Sequence, residues 1–181
     1  MVTDEVYEHL TFDGHAHISM ASLPGMRERT LIISSTAKTF SMTGWKIGYV
    51  LAPAPLSKAV RSAHQFVTFC SATPLQVAMA EAVQRTEEYL PTLAHEYAER
   101  RQTLYDILRD VGFDVRLPQG TYFILADIRP FGFDDDVTFC RMLTKELGVA
   151  AIPTSAFYAH KEEGRFLARF ADRKSTRLNS S

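Results

Sequence analysis

The sequence predicts an α/β or α+β architecture with at least one largely parallel sheet. Three observations carry this. A short β-branched run, Thr30-Leu31-Ile32-Ile33-Ser34, is bounded by polar residues in the manner of a buried strand. A long amphipathic stretch from about Glu87 to Val111 follows a helical period. Strand-like and helix-like segments then alternate to the end of the patterned sequence, as layered α/β folds do.

The first residues, Met1 to Tyr7, read as the end of a strand running into a loop. A polar stretch with Gly14, Pro24 and Gly25 leads to the run at 30–34, followed by a Ser/Thr-rich loop holding Lys38. Lys46 to Ala52 reads as a strand closed by Pro53 and Pro55. Leu56 to Phe69, with Leu56, Val60, His64 and Val67 in phase, predicts a helix, and Pro74 to Val83 predicts a second with Pro near its start. In the long helix Leu93, Tyr97, Leu104, Ile107 and Leu108 share one face, and Gly112 stands at a C-cap position. Thr121–Ile128, Val149–Pro153 and Phe166–Phe170 read as strands, with a helix over Val137–Leu147. Beyond Phe170 the run ADRKSTRLNSS has no apolar period, and residues 172–181 read as a disordered or artefactual tail.

At 181 residues the chain can hold one full core or parts of two domains. Its 20 Lys+Arg against 21 Asp+Glu leave a net charge of −1, so no strong field draws it to nucleic acid or to an anionic membrane. A small molecule is the expected partner. No apolar run approaches the ~20 residues that cross a bilayer, the N-terminus has no secretory pattern, and the chain reads as cytoplasmic. Cys70 and Cys140 stand far apart and are expected to be buried and reduced. His9, His15 and His17 cluster, but no carboxylate or cysteine at ligand spacing completes a metal site, and no metal is expected.

The segment Ser34 to Lys46 sets short hydroxyls, a glycine and two lysines between apolar strands. Hydroxyls with a cation make a phosphate cradle, in which Ser35 can donate and Lys46 can offset charge. Lys38 is then left for covalent work, which requires an unprotonated amine. By composition alone, a lysine in a loop is a solvated charge, Arg169 a surface arginine, Asp4 a loop acid and Tyr7 a half-buried aromatic.

The order of these segments alters that reading. The stretch Asp4-Glu5-Val6-Tyr7-Glu8-His9-Leu10, the loop SSTAKTFSMTGWKIGY from Ser34 to Tyr49, the run RRQTLYDIL with the later Gly120-Thr121-Tyr122-Phe123, and Ala168-Arg169-Phe170 resemble the fold type I, class I aminotransferases that depend on pyridoxal 5'-phosphate. The kynurenine, glutamine-type and methionine-preferring enzymes are the nearest subgroup. The resemblance covers residues 1 to about 171 and implies the C-terminal part of the fold. Residues 1–86 would form part of a large cofactor-binding domain and residues 87–171 a small α+β domain.

The resemblance also implies roles. Asp4 would pair with the protonated pyridine nitrogen, and Tyr7 would hydrogen-bond the ring's phenolic oxygen. Lys38 would form the Schiff base with the cofactor and later move the substrate α-proton. Ser35 and Lys46 would bind the phosphate, Lys46 standing where many relatives have arginine, so that charge is kept and bidentate geometry lost. Arg169 would grip the substrate α-carboxylate. Tyr122 would pack in the small domain, with lining of the substrate entrance as the alternative. The family's glycine-containing phosphate loop, ring-stacking aromatic and asparagine have no counterpart in this sequence. The chain is therefore expected to be the second half of a longer homodimeric enzyme acting on amino acids and 2-oxo acids, and inactive alone. A β-lyase acting on C–S bonds would use the same residues, and a non-catalytic aminotransferase-like domain of a transcriptional regulator is the third reading.

Overall fold

The computed structural model describes residues 1–172, so the expected tail lies, from residue 173 on, outside the described residues. The chain folds as two compact units, Met1–His95 and Glu96 onward.

The first unit holds a three-stranded sheet in the order β1 (Val2–Asp4), β2 (Leu31–Ser35), β3 (Gly48–Leu51). β1 and β2 are parallel, with Asp4 opposite Ile33, whereas β3 runs antiparallel to β2 with Gly48 opposite Ser35. The largely parallel sheet expected from the alternation is thus not what forms among the described residues. The segment between β2 and β3 is spent on a short helix, α1 (Thr36–Thr39), and a 3-10 turn, Thr43–Trp45, which reverse the chain instead of carrying it back along the sheet. Helices α2 (Ala54–Val67) and α3 (Thr73–Gln84) each begin with proline in the first turn, where a missing N–H costs nothing. The apolar end of α2 and the turn after it are open to solvent: Phe66 is 85%, Val67 83% and Phe69 79% exposed. Cys70, expected to be buried, follows that end and is exposed as well.

Helix α4 (Thr86–Val111) contains the division between the units. Leu93 and Leu108 are buried as the period requires, but Ile107 is 54% exposed and leaves the predicted face. The helix ends at Gly112, whose φ of 108° lets the Phe113 N–H turn back to the Leu108 carbonyl at 3.0 Å.

The second unit is an antiparallel sheet in the order β4 (Asp114–Val115), β5 (Phe123–Asp127), β7 (Leu167–Ala171), β6 (Ile152–Pro153), with α5 (Asp136–Glu146) between β5 and β6 in sequence. β4 is too short to leave a period in the sequence. Alternation decides the two faces of the sheet. Ile124, Ala126, Ala168 and Phe170 enter the core with Phe113, Phe139 and Leu143, while Phe123, Leu125, Leu167 and Arg169 take the other face. Phe113 lies 4.4 Å from Phe131 and 5.3 Å from Phe170, ring to ring, and burial of each such side chain is worth about 1.5–3 kcal/mol. Cys140 is buried here, and burial pushes its thiol pKa up to about 11.

Candidate active site

Asp4 is the last residue of β1 and Ser35 the last of β2, so both stand at the carboxyl ends of neighbouring parallel strands. That is where α/β sheets bind ligands. Register and alternation put Asp4, Ile33, Ser35 and Gly48 on one face of the sheet. Gly48 keeps that face clear beside Ser35: a Cβ there would come within 2.9 Å of the Ser34 carbonyl oxygen and 3.3 Å of Ser35 Cβ.

The Ser/Thr-rich segment is not a loop throughout. Ser35, in extended conformation, caps α1 by accepting the Ala37 N–H at its hydroxyl oxygen, 3.3 Å away, and that short helix presents the half-buried Lys38. The Ser35 hydroxyl proton remains able to donate to a ligand. Thr36 donates both its N–H, at 3.3 Å, and its hydroxyl, at 3.1 Å, to the Ile47 carbonyl. This ties the start of α1 to the segment carrying Lys46, which is exposed and held at a left-handed φ of 58°. Tyr7 is half-buried in the turn after β1, with its carbonyl accepting from Leu10 N–H at 2.9 Å.

Two residues that sequence reasoning passed over hold this end of the sheet. Glu8 accepts from the Ser34 hydroxyl at 3.1 Å and the Tyr49 hydroxyl at 3.0 Å, fastening the Tyr7 turn to β2 and β3. Burial, together with this carboxylate, pushes the Tyr49 phenol above its ordinary pKa. Glu5 is 7% exposed and accepts from Thr3 hydroxyl, His17 Nε2, Ser19 hydroxyl and Met20 N–H. Burial alone would raise its carboxyl pKa, but those hydrogen bonds outweigh it and hold the group below its usual range. The sequence shows only that both acids flank Tyr7; which hydroxyls they meet is set by chain segments far away in sequence. His17 is therefore a hydrogen-bonded loop histidine, and among the described residues no group of three or more potential metal ligands forms.

The donor set fits pyridoxal 5'-phosphate. Asp4 and Ser35 supply an acid and a hydroxyl at neighbouring strand ends, Lys46 a cation two residues before Gly48, which pairs with Ser35, and Lys38 an amine on the capped helix. The two cavities described in this unit, of about 510 and 350 Å³, are lined by other residues, among them Thr30, Ile32 and Leu51 in one and Phe40 and Tyr89 in the other.

Arg169 belongs to the second unit. It sits mid-strand in β7, between Leu125 of β5 and Ile152 of β6. Its guanidinium carbon lies 4.9 Å from the Phe123 ring centre and 5.3 Å from that of Phe157, and among the described residues no carboxylate pairs with it. Tyr122 packs on Tyr97, ring centres 6.0 Å apart, beside a cavity of about 10 Å³.

The model for "Aminotransferase class I and II" matches residues 1–178. The chain is 41% identical to the methionine aminotransferase of Escherichia coli over 179 residues, 98% of this chain and 46% of that protein. It is 39% identical to kynurenine–oxoglutarate transaminase 1 of Homo sapiens over 183 residues, 91% of this chain and 43% of the relative. The solved structure of N-succinyldiaminopimelate aminotransferase from Mycobacterium tuberculosis superposes with a TM-score of 0.89 at 44% identity, over 94% of this chain and 44% of that one. The chain thus spans less than half the length of the curated relatives it matches.

Proposed function

Because the chain belongs to the class I and II aminotransferases, we propose that the protein containing it transfers an amino group between an amino acid and a 2-oxo acid with pyridoxal 5'-phosphate. The observation that carries this reading is the placement of Asp4 and Ser35 on one face at the carboxyl ends of β1 and β2, with Lys38 on the helix that Ser35 caps. When bound, the cofactor supplies a carbonyl carbon for the amino group and an electron-accepting ring. Asp4 holds the proton on the ring nitrogen, and Tyr7 donates to the ring's phenolic oxygen. Ser35 and Lys46 bind the phosphate, by a hydroxyl donor and a point charge. Lys38 would be the covalent attachment point and, as a free amine, would move the proton at the substrate α-carbon. Arg169 binds the α-carboxylate through its planar fork, a role supported by its lack of an acidic partner among the described residues.

On this reading residues 1–86 serve the cofactor and 87–171 the smaller domain, in a homodimeric enzyme. Methionine, glutamine and kynurenine are the donors to test first, since a methionine aminotransferase and a kynurenine transaminase are among the relatives. The experiment is borohydride reduction of the full-length protein loaded with pyridoxal phosphate, followed by peptide mapping, with transamination assayed on those donors. Cofactor fixed to the Lys38 peptide supports the proposal. Fixation at another lysine, or undiminished turnover by Lys38→Ala, refutes it.

A further inference from the structure

Arg169 is held in an unusual way for a strand arginine. Its β-strand lies between β5 and β6, and an aromatic ring reaches the guanidinium from each flank: Phe123 from β5, the diagonal neighbour on the same face, and Phe157 from the turn after β6. Phe157 is 65% exposed, yet the turn carrying it, Thr154–Phe157, is firmly anchored. The Thr154 hydroxyl shares its one proton between the carbonyls of Gly164, at 2.8 Å, and Leu167, at 3.1 Å, and the Ser155 N–H donates to buried Asp136 at 2.7 Å. The next turn closes tightly over it, since a Cβ on Gly164 would lie 2.6 Å from the Tyr158 ring. A large aromatic left open to solvent on so rigid a mount is not explained by core packing, because the core occupies the other face of the sheet.

We propose that Phe123 and Phe157 are positioning residues that clamp the Arg169 guanidinium by cation–π contact and pre-set its plane for a carboxylate, with Asp136 and Thr154 fixing the mount of Phe157. This rests on the reading of Arg169 as the carboxylate-binding group. A cation against the face of a ring is stabilised without being neutralised, so the fork keeps its charge and its N–H donors for the ligand. A carboxylate from the protein would fix the plane equally well but would compete with the substrate for the same donors.

The test uses the full-length holoenzyme and two probes of similar shape, the anionic propanoate and the neutral propanamide, with affinities measured by calorimetry. Phe157→Leu keeps an apolar side chain but removes the ring face, at a position exposed enough for the fold to survive. Propanoate should bind about three- to tenfold more weakly and propanamide unchanged. KM for the amino donor should rise while kcat changes little, and Phe157→Tyr should restore both. Arg169→Lys is the companion variant. If it weakens propanoate while Phe157→Leu does not, the carboxylate reading stands and the clamp is overturned. The clamp is also overturned if Phe157→Leu weakens both probes equally, since Phe157 is then only an apolar wall. If Arg169→Lys leaves propanoate binding untouched, the carboxylate binds elsewhere and both readings fall.

Discussion

Gly48→Ala puts the geometry of the cofactor face to a direct test. The added Cβ would meet the Ser34 carbonyl oxygen at 2.9 Å and Ser35 Cβ at 3.3 Å. The first of these is backbone inside the β2–β3 ladder, where Ser35 pairs with Gly48, so it cannot swing aside as a side chain would. Overpacking of this kind costs about 1–3 kcal/mol. Loss of glycine's freedom in the unfolded chain offsets about 0.4–1 kcal/mol of that. The midpoints of these ranges leave a net destabilisation of about 1.3 kcal/mol, or about 3–5 °C in Tm for a domain of ~150–250 residues. Because the strained atoms belong to the residue that caps α1 and the one before it, cofactor affinity should fall in the same variant. Thermal unfolding of the apo-protein and titration with pyridoxal phosphate, both on the full-length protein, read the two effects separately. A variant that matched the parent in Tm and in affinity would refute the claim that Gly48 keeps this face open.

Ser35→Ala should lose both the cap of α1 and a phosphate donor: about 1 kcal/mol of local stability from the cap, and a cofactor dissociation constant raised severalfold in an equilibrium titration. Glu5, whose folded pKa is lowered, contributes stability that is complete above the unfolded carboxyl pKa of about 4.3 and is lost as pH falls through the lower folded value. Glu5→Gln should therefore flatten the acid limb of a Tm-against-pH curve, and should cost about 2 kcal/mol at neutral pH because a neutral amide replaces a four-fold acceptor. Cys140, with its thiol pKa pushed up to about 11, should resist alkylation by iodoacetamide at pH 8 until the protein is unfolded, as followed by mass spectrometry.

What could be read from the sequence was whatever leaves a local trace. The β-branched run at Leu31–Ser35, the long helical period of α4 and the glycine stop at Gly112 all report themselves over a few residues. The order and spacing of Asp4, Tyr7, Ser35, Lys38 and Lys46 carried the family resemblance, which the match over residues 1–178 confirms. Strand direction left no such trace: β3 is as apolar as a parallel strand would be, and only the reversal through α1 and the 3-10 turn turns it antiparallel. Helix α1 was hidden because four residues hold no period and its cause is a single cap. The roles of Glu5 and Glu8 were hidden for another reason. Their partners Ser34 and Tyr49, like His17, are neighbours only after folding. The ring clamp on Arg169 likewise joins β5, β7 and the turn after β6, segments whose adjacency is a property of sheet order.

The left-handed backbone at Lys46 carries a lesson for anyone who would engineer this protein. A non-glycine side chain at a φ of 58° is held there at some cost, and glycine or asparagine would relax it. A library screened for heat resistance alone would thus tend to replace Lys46 with one of those residues and discard the cation proposed for the phosphate. Stability and catalysis select opposite residues at this position, so only a screen that also demands cofactor retention would keep the lysine or exchange it for arginine.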